Sequence, residues 1–309
     1  MIQKILSGIK SKKIKYIAQA ISLIENNTTE GYSLINEIEN LSLNQSYKVG
    51  ITGPPGAGKS SITNQLIKKF KGENKKVGVL LVDPTSPYSN GSILGDRIRM
   101  NNYDSKIFIR SLATRGSKGG LSENIDDISK VLDYAGYDII IFETVGVGQV
   151  ELDVVEVVDT VIVTLVPESG DDIQMMKAGL IEIADIYVIN KSDRKDSEKL
   201  NLYLDNMLAL IDKNKWKPDI VKTIAITGEG LDELIKKLYK HKNYLKNTNI
   251  LNEKNDRKYI QNIKKKIISK LENKFWNKNR MQLLHAELAK PLKDRESILD
   301  LIKKIESYD

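Results

Sequence analysis

The stretch GPPGAGKSS, Gly53 to Ser61, sets three glycines, a lysine and two hydroxyls at the spacing G-x-x-x-x-G-K-[ST]. Glycine at 53, 56 and 58 allows backbone conformations and close approaches that side chains would block. The N–H groups of such a loop, with those opening a helix behind it, converge on an anion. Lys59 has the reach for β- and γ-phosphates, and the Ser60 hydroxyl suits Mg2+. The nucleotide-binding set read here is Gly53, Pro54, Pro55, Gly56, Ala57, Gly58, Lys59, Ser60 and Ser61. Such a motif needs a strand leading in and a helix leading out; YKVGIT precedes it and SSITNQLIKKF follows.

A second motif, NKSD at Asn190–Asp193, closes the apolar run IYVIN. A carboxylate at Asp193 can accept from guanine N1–H and from the N2 amine. Adenine offers neither donor and would leave the carboxylate unpaired, so the motif points to GTP rather than ATP. Lys191 is expected to cover the base or brace the phosphate loop, and Asn190 to fix the loop. AITGEG, 225–230, resembles the element whose backbone touches guanine O6, which brings Ile226, Thr227 and Gly228 into the site.

Between these motifs lie carboxylates. Asp83 ends a strand-like run, Asp96 follows in a Gly-rich stretch, and Glu143 opens ETVGVGQVE after DIIIF. All three are hard oxygen donors suited to Mg2+, beside Ser60, and with Lys59 they form the candidate catalytic set; a helix cap or turn carboxylate is the alternative for each. Gly146 has an N–H able to sense a γ-phosphate. Val147 stands where Ras-like proteins carry a water-orienting Gln, and Gln149 lies two residues on. The free protein is therefore expected to hydrolyse GTP slowly until a partner or another loop completes the site. Arg97, Arg99, Arg110 and Arg115 form a pool for a transition-state arginine.

The elements that must position these residues follow from apolar periodicity. Short β-rich runs at 47–52, 77–82, 106–112, 138–143, 160–166, 186–190 and 221–226 alternate with helical stretches. Continuous apolar runs such as 139–142 read as strands buried on both faces. The expected class is α/β: a P-loop NTPase with a doubly wound, mainly parallel sheet, its ligands at the carboxyl ends of the strands. Ile14, Ile17, Ile21 and Ile24, then Leu34, Ile35, Ile38 and Leu41, recur at helical spacing, as do Ile260, Ile263, Ile267, Leu271 and Phe275. The expected organisation is thus an N-terminal helical extension (1–45), a nucleotide domain (46–246) and a C-terminal helical arm (247–309).

Composition bounds the rest. The chain has 309 residues, a net charge of +7, no cysteine and two histidines. Disulfides and thiolate metal sites are excluded. The positive charge is lysine spread along solvated helices, without an Arg-rich or aromatic-interleaved patch, so no nucleic-acid partner is expected. No apolar run approaches the ~20 residues of a membrane span, and no signal peptide is read, which leaves a cytoplasmic protein as the expectation.

In order behind GPPGAGKSS, the segments DPTSPYSNGSILGDRIRM, RGSKGGLS, ETVGVGQVE and NKSD closely resemble the methylmalonyl-CoA mutase-associated GTPases, also known as ArgK or LAO/AO transport-system ATPases. The likeness covers roughly residues 10 to 245, and the long DPTSP block is far more specific than a phosphate loop. It implies a G-protein chaperone that uses GTP and Mg2+ to gate adenosylcobalamin delivery to an acyl-CoA mutase, and to protect or reactivate it. It also implies a homodimer through the C-terminal arm. VPESGDDIQMMKAG, 166–179, aligns with a mobile loop of that family; Glu168 and Ser169 depart from its pattern, while Gly170, Asp171 and Gln174 are kept.

Three rival classes fit less well. An ATPase for basic amino-acid uptake conflicts with Asp193 and lacks LSGGQ. A nickel- or cobalt-inserting GTPase needs soft or imidazole ligands that this chain does not supply. A nucleic-acid or signal-recognition GTPase needs a basic or Met-rich module, whereas 250–309 alternates Lys and Ile.

Overall fold

The computed structural model describes residues 1–41, 43, 45–84, 106–114, 120–144, 155–167, 182–210 and 216–308. They divide into two compact units, Met1–Glu253 and Lys254–Asp309.

The first unit opens with α1 (Ile2–Lys10), α2 (Ile14–Glu25) and α3 (Thr29–Glu39). It continues through β1 (Tyr47–Thr52), α4 (Lys59–Gly72), β2 (Val77–Pro84), β3 (Ile107–Thr114), α5 (Gly120–Tyr134) and β4 (Ile139–Thr144). Then follow β5 (Thr160–Leu165), β6 (Ile186–Asn190), α6 (Ser197–Leu208), β7 (Asp219–Thr223) and α7 (Leu231–Asn247). The seven strands form one sheet in the order β3-β2-β4-β1-β5-β6-β7, every pairing parallel. This is the doubly wound α/β class expected from the apolar runs, with β1 at its centre.

Helices cover both faces, which is why β1, β4, β5 and β6 are apolar almost throughout. On one face Val49, Ile51, Val79, Ile141, Ile162 and Val188 meet Ile62, Leu66 and Phe70 of α4 and Leu234 and Leu238 of α7. On the other, Leu80, Phe142, Val163 and Tyr187 share a core with α5 and with Ile17, Ile21, Ile24, Leu34, Ile35 and Ile38 of the N-terminal helices. The N-terminal stripe therefore packs on its own domain, and only its outer members Ile14 and Leu41 are exposed. Arg110 fastens this contact: its guanidinium donates to Glu25 Oε2 at 2.6 Å and to Ser22 Oγ at 3.0 Å. The candidate arginine at 110 is thereby tied to α2; Arg97, Arg99 and Arg115 lie outside the described residues.

Parallel strands have no hairpin to set their register, and here carboxylates do it. Asp138, Asp159 and Asp185 each stand one residue before a strand. Their side chains accept the backbone N–H of Lys76 (2.8 Å), just before β2, and of Lys48 (2.9 Å) and Val161 (2.9 Å) on the adjacent strands β1 and β5. A hydrogen bond to a charged group contributes ~1.5–3 kcal/mol, so a one-residue slip would forfeit several kcal/mol along the row. A buried chain of side chains continues this edge: Tyr47 Oη meets Thr160 Oγ1, Thr160 meets His241 Nδ1 at 2.7 Å, and His241 Nε2 lies 3.3 Å from Asp185.

The second unit is helical: α8 (Ile250–Phe275), which begins just before the boundary, then α9 (Lys278–Leu288), a short 3-10 turn and α10 (Ile298–Glu306). Asn277 and Ser297 cap α9 and α10 with side-chain oxygens, and Arg280 ties the pair by donating to Phe275 O and Ile305 O, both at 3.0 Å. Along α8 most of the stripe found in the sequence is exposed: Ile260, Ile263, Ile267 and Leu271 face solvent, as does Ile268 beside them, while Phe275 is half-buried. Among the described residues no helix is long and apolar enough to cross a membrane.

At the outer edge, Asp219 opens β7 and accepts from Lys237 and Lys240, both at 2.9 Å. Burial pushes its carboxyl upward, but the two lysine hydrogen bonds outweigh this and hold its pKa below the usual carboxylate value. The bound, ionised form contributes stability that is present above the unfolded pKa and is lost as pH falls through the lower folded one, below roughly pH 4. Urea denaturation from pH 7 to pH 2 should show Asp219→Asn less stable at pH 7 and with a shallower acid limb than the unmodified protein.

Candidate functional site

Every described site residue lies at the carboxyl ends of β1, β2, β4, β6 and β7 or on the turns leaving them. The chain leaves β1 at Thr52 and passes beneath β5, where a Cβ on Gly53 would sit 2.1 Å from Thr164 O. That approach and a φ of +139° require glycine. Gly58, at φ +88°, caps α4 without a side-chain hydrogen bond, which leaves the first N–H groups of α4 directed at the loop. Lys59 folds into the same loop, its Nζ donating to Gly53 O at 2.7 Å and Pro54 O at 2.9 Å. These are the parts of an anion cradle: a helix amino end, left-handed glycines and one buried ammonium.

Glu143 is the penultimate residue of β4, beside β1 in register with Ile51, and is 1% exposed. Ser60 Oγ donates to its Oε1 at 2.5 Å. One residue on, Thr144 Oγ1 and Thr52 Oγ1 pair at 3.1 Å, so the strand end before the phosphate loop and the strand end after Glu143 are tied side by side. Asp83 lies on β2, two positions past Leu81, the partner of Glu143 in the sheet; its side chain is outside the described residues, as are Asp96, Gly146, Val147 and Gln149. Among the described residues no group of three His, Asp or Glu side chains is arranged to hold a metal ion. The Ser60–Glu143 pair still fits Mg2+, which keeps several waters and takes phosphate oxygens rather than a complete protein cage.

The base-reading turns meet the phosphate loop through Asn190, which is 2% exposed. Its Nδ2 donates to Ala57 O at 2.8 Å, and its Oδ1 accepts from Thr223 Oγ1 at 3.2 Å and Ala225 N–H at 3.1 Å. Capture of Ala225 N–H ends β7 at Thr223, short of the run to 226 expected from apolar pattern. The next residue, Lys191, sits at φ 55° and reaches Gly56 O at 2.9 Å. Asp193 is exposed and, among the described residues, has no ion-pair partner. Thr227 N–H and Gly228 N–H both return to Ile224 O, at 3.1 and 2.9 Å. Side chains to which the sequence motifs assigned no role complete the frame: Thr52, Thr144, Thr223 and Gln65, the last reaching Ala225 O at 2.8 Å. No residue pattern marks these four; only the strand register reveals them.

The segments of this site match a known family: the profile described as methylmalonyl-CoA mutase-associated GTPase MeaB aligns with residues 17–280. The chain belongs to the MeaB family. A Pyrococcus horikoshii protein, provisionally named a GTPase, is 45% identical over 85% of this chain and 84% of its own length. The GTPase ArgK of Escherichia coli is 36% identical over 71% of this chain and 69% of its own. The mouse mitochondrial methylmalonic aciduria type A homolog is 33% identical over 75% of this chain and 61% of its own. Among solved structures, the LAO/AO transport system kinase superposes with a TM-score of 0.71 over 99% of this chain and 96% of that one; at 24% identity this shows a common fold. This MeaB-family member is a P-loop GTPase, an enzyme acting on guanine nucleotide.

The bridge at Asn190 gives a direct test. Asn190→Ala strands the buried Ala57 carbonyl and Ala225 N–H, at ~1–3 kcal/mol for each buried group left unpaired. Thermal denaturation should show a lower Tm, and GDP titration an affinity weaker by about tenfold or more.

Proposed function

We propose that this GTPase is a nucleotide-driven chaperone for an adenosylcobalamin-dependent acyl-CoA mutase, gating delivery of the cofactor and protecting or reactivating the enzyme. Its family description and the name of its mouse relative support the client class. The observation that carries the switching half is the Ser60–Glu143 hydrogen bond, 2.5 Å, because it joins the phosphate loop to the strand from which the stretch 145–151 departs. The proposed catalytic and metal set is Lys59, Ser60, Asp83, Asp96 and Glu143; Asn190, Lys191, Asp193 and the 226–228 turn read the base. When bound, Mg2+ supplies charge neutralisation at the β- and γ-phosphates, with Ser60 and Glu143 as its nearest described donors. The Ser60 hydroxyl donates its one proton to Glu143 and keeps lone pairs that can face a metal, so nucleotide and Mg2+ loading would bear on both members of this pair at once.

The domain reading is an N-terminal extension over 1–45, a GTPase core over 46–246 and an arm over 247–309 that pairs two copies of the chain. Support for the arm is the exposed apolar stripe of α8. Withdrawing an Ile or Leu side chain from water contributes ~1.5–3 kcal/mol, so pairing several of them outweighs the cost of association. Ile263→Glu combined with Ile267→Glu should halve the mass measured by sedimentation equilibrium; an unchanged mass would remove the arm from the interface.

Turnover tests the client. Phosphate release from GTP should run well below the roughly 1 per second of complete sites for the protein alone, rise on adding a B12-dependent acyl-CoA mutase, and be undetectable with ATP. Fast turnover without the mutase, or no response to any mutase of this class, would overturn the proposal.

A further inference from the structure

Gln65 lies on α4, outside every motif, yet its side chain touches the base-reading turn. Nε2 donates to Ala225 O at 2.8 Å, and the Gln65 amide also lies beside Gly228, 3.7–3.8 Å from where a Cβ there would be. The N–H groups on either side of Ile226 are occupied. Ala225 N–H goes to Asn190 Oδ1 at 3.1 Å, and Thr227 and Gly228 N–H go to Ile224 O at 3.1 and 2.9 Å. Glu229 N–H reaches Thr227 Oγ1 at 3.4 Å. From Ala225 to Glu229, among the described residues, Ile226 N–H is the donor left without a partner.

Ala225 O and Ile226 N–H belong to one peptide unit. The described chain has no cis peptide, and a trans peptide points its carbonyl and its N–H in opposite directions. Holding the carbonyl down on α4 therefore turns the Ile226 N–H outward, on a residue 86% exposed. Asn190 holds the N–H of the peptide just before, at Ala225, so the chain entering this plane is fixed as well.

We propose that Gln65 is the positioning residue that aims the Ile226 N–H at the 6-oxo group of a guanine base. The inference rests on the guanine reading of Asp193. It makes discrimination at position 6 of the purine depend on a side chain of the helix that begins at the phosphate loop. Adenine presents an amino donor at that position, which an outward N–H repels. A role confined to satisfying the buried Ala225 carbonyl would cost stability but leave base discrimination untouched.

The test uses full-length protein and diphosphates, to avoid turnover. 6-Thio-GDP keeps the N1–H and N2 amine and weakens only the acceptor at position 6; IDP keeps that acceptor and lacks the N2 amine. The unmodified protein should bind GDP about 3–10-fold tighter than 6-thio-GDP, the span of one hydrogen bond. Gln65→Leu should bring that ratio close to one while leaving the GDP-to-IDP ratio, which reports Asp193, as it was. Gln65→Glu keeps the length of the side chain, removes the donor and carries the test should leucine impair folding. Independent of any variant, exchange of the Ile226 amide should slow with GDP and less so with 6-thio-GDP. A GDP-to-6-thio-GDP ratio unchanged in folded variants, or an Ile226 amide indifferent to GDP, would overturn the assignment of Gln65. Equal binding of GDP and ADP by the unmodified protein would instead overturn the guanine reading, and the inference with it.

Discussion

The buried amide of Asn190 is the constraint on which the candidate site depends. It is one side chain with two hydrogen-bonding ends, and it reaches Ala57 in the phosphate loop and both Thr223 and Ala225 at the end of β7. Each bond contributes only ~0.5–1.5 kcal/mol net, but each partner is buried and would be expensive to leave unpaired. The asymmetry makes the bridge stiff: the three loops move together or not at all. Neighbouring backbone choices follow from it. Gly58 has no room for a side chain because Asn190 Nδ2 lies 2.2 Å from where its Cβ would be, and Lys191 takes a left-handed φ of 55° while its amine returns to Gly56.

A bridge of this kind works only if the strands that carry its ends stay in register. β1 and β6 are separated by β5, and no tight turn joins any of these parallel strands. The aspartates at the opposite edge supply the missing restraint, each holding an N–H in or just before a neighbouring strand within 2.8–2.9 Å. The far edge of the sheet is thus fixed by charge-assisted bonds and by the Tyr47–Thr160–His241–Asp185 chain. Burial pushes the Tyr47 hydroxyl well above its usual pKa, so it remains a neutral hydrogen-bonding group at any physiological pH. Rigid amino ends let the carboxyl ends carry loops of left-handed and glycine-rich backbone without losing alignment.

Much of this was legible in the sequence because the governing rules are local. Apolar runs bounded by turn residues gave seven strands within a few residues of their observed limits, and unbroken hydrophobicity correctly implied burial on two faces. The phosphate loop and NKSD were legible because phosphate and guanine each demand particular residue types at fixed spacing. What was not legible was pairwise. Nothing in the spacing of Thr52 and Thr144, 92 positions apart, says that their hydroxyls meet, and Arg110 gave no sign that Glu25 would claim it. The end of β7 was overrun for the same reason: propensity favours continuing through Ile224 and Ala225, and a side chain from β6 decides otherwise. Gln65 looked like one more polar helix residue until the register placed Ala225 above it.

The same geometry says how a change at the phosphates could travel. Ser60 and Glu143 are partners through a single short hydrogen bond, and a hydroxyl has one proton to give. In the proposed cycle any group that takes over one of these oxygens alters what the other can hold. Glu143 cannot shift freely, because its strand is locked between β1 and β2 and the next residue is tied to Thr52. In the proposed cycle the locked sheet is the reason a change of this one hydrogen bond is not absorbed along the strand.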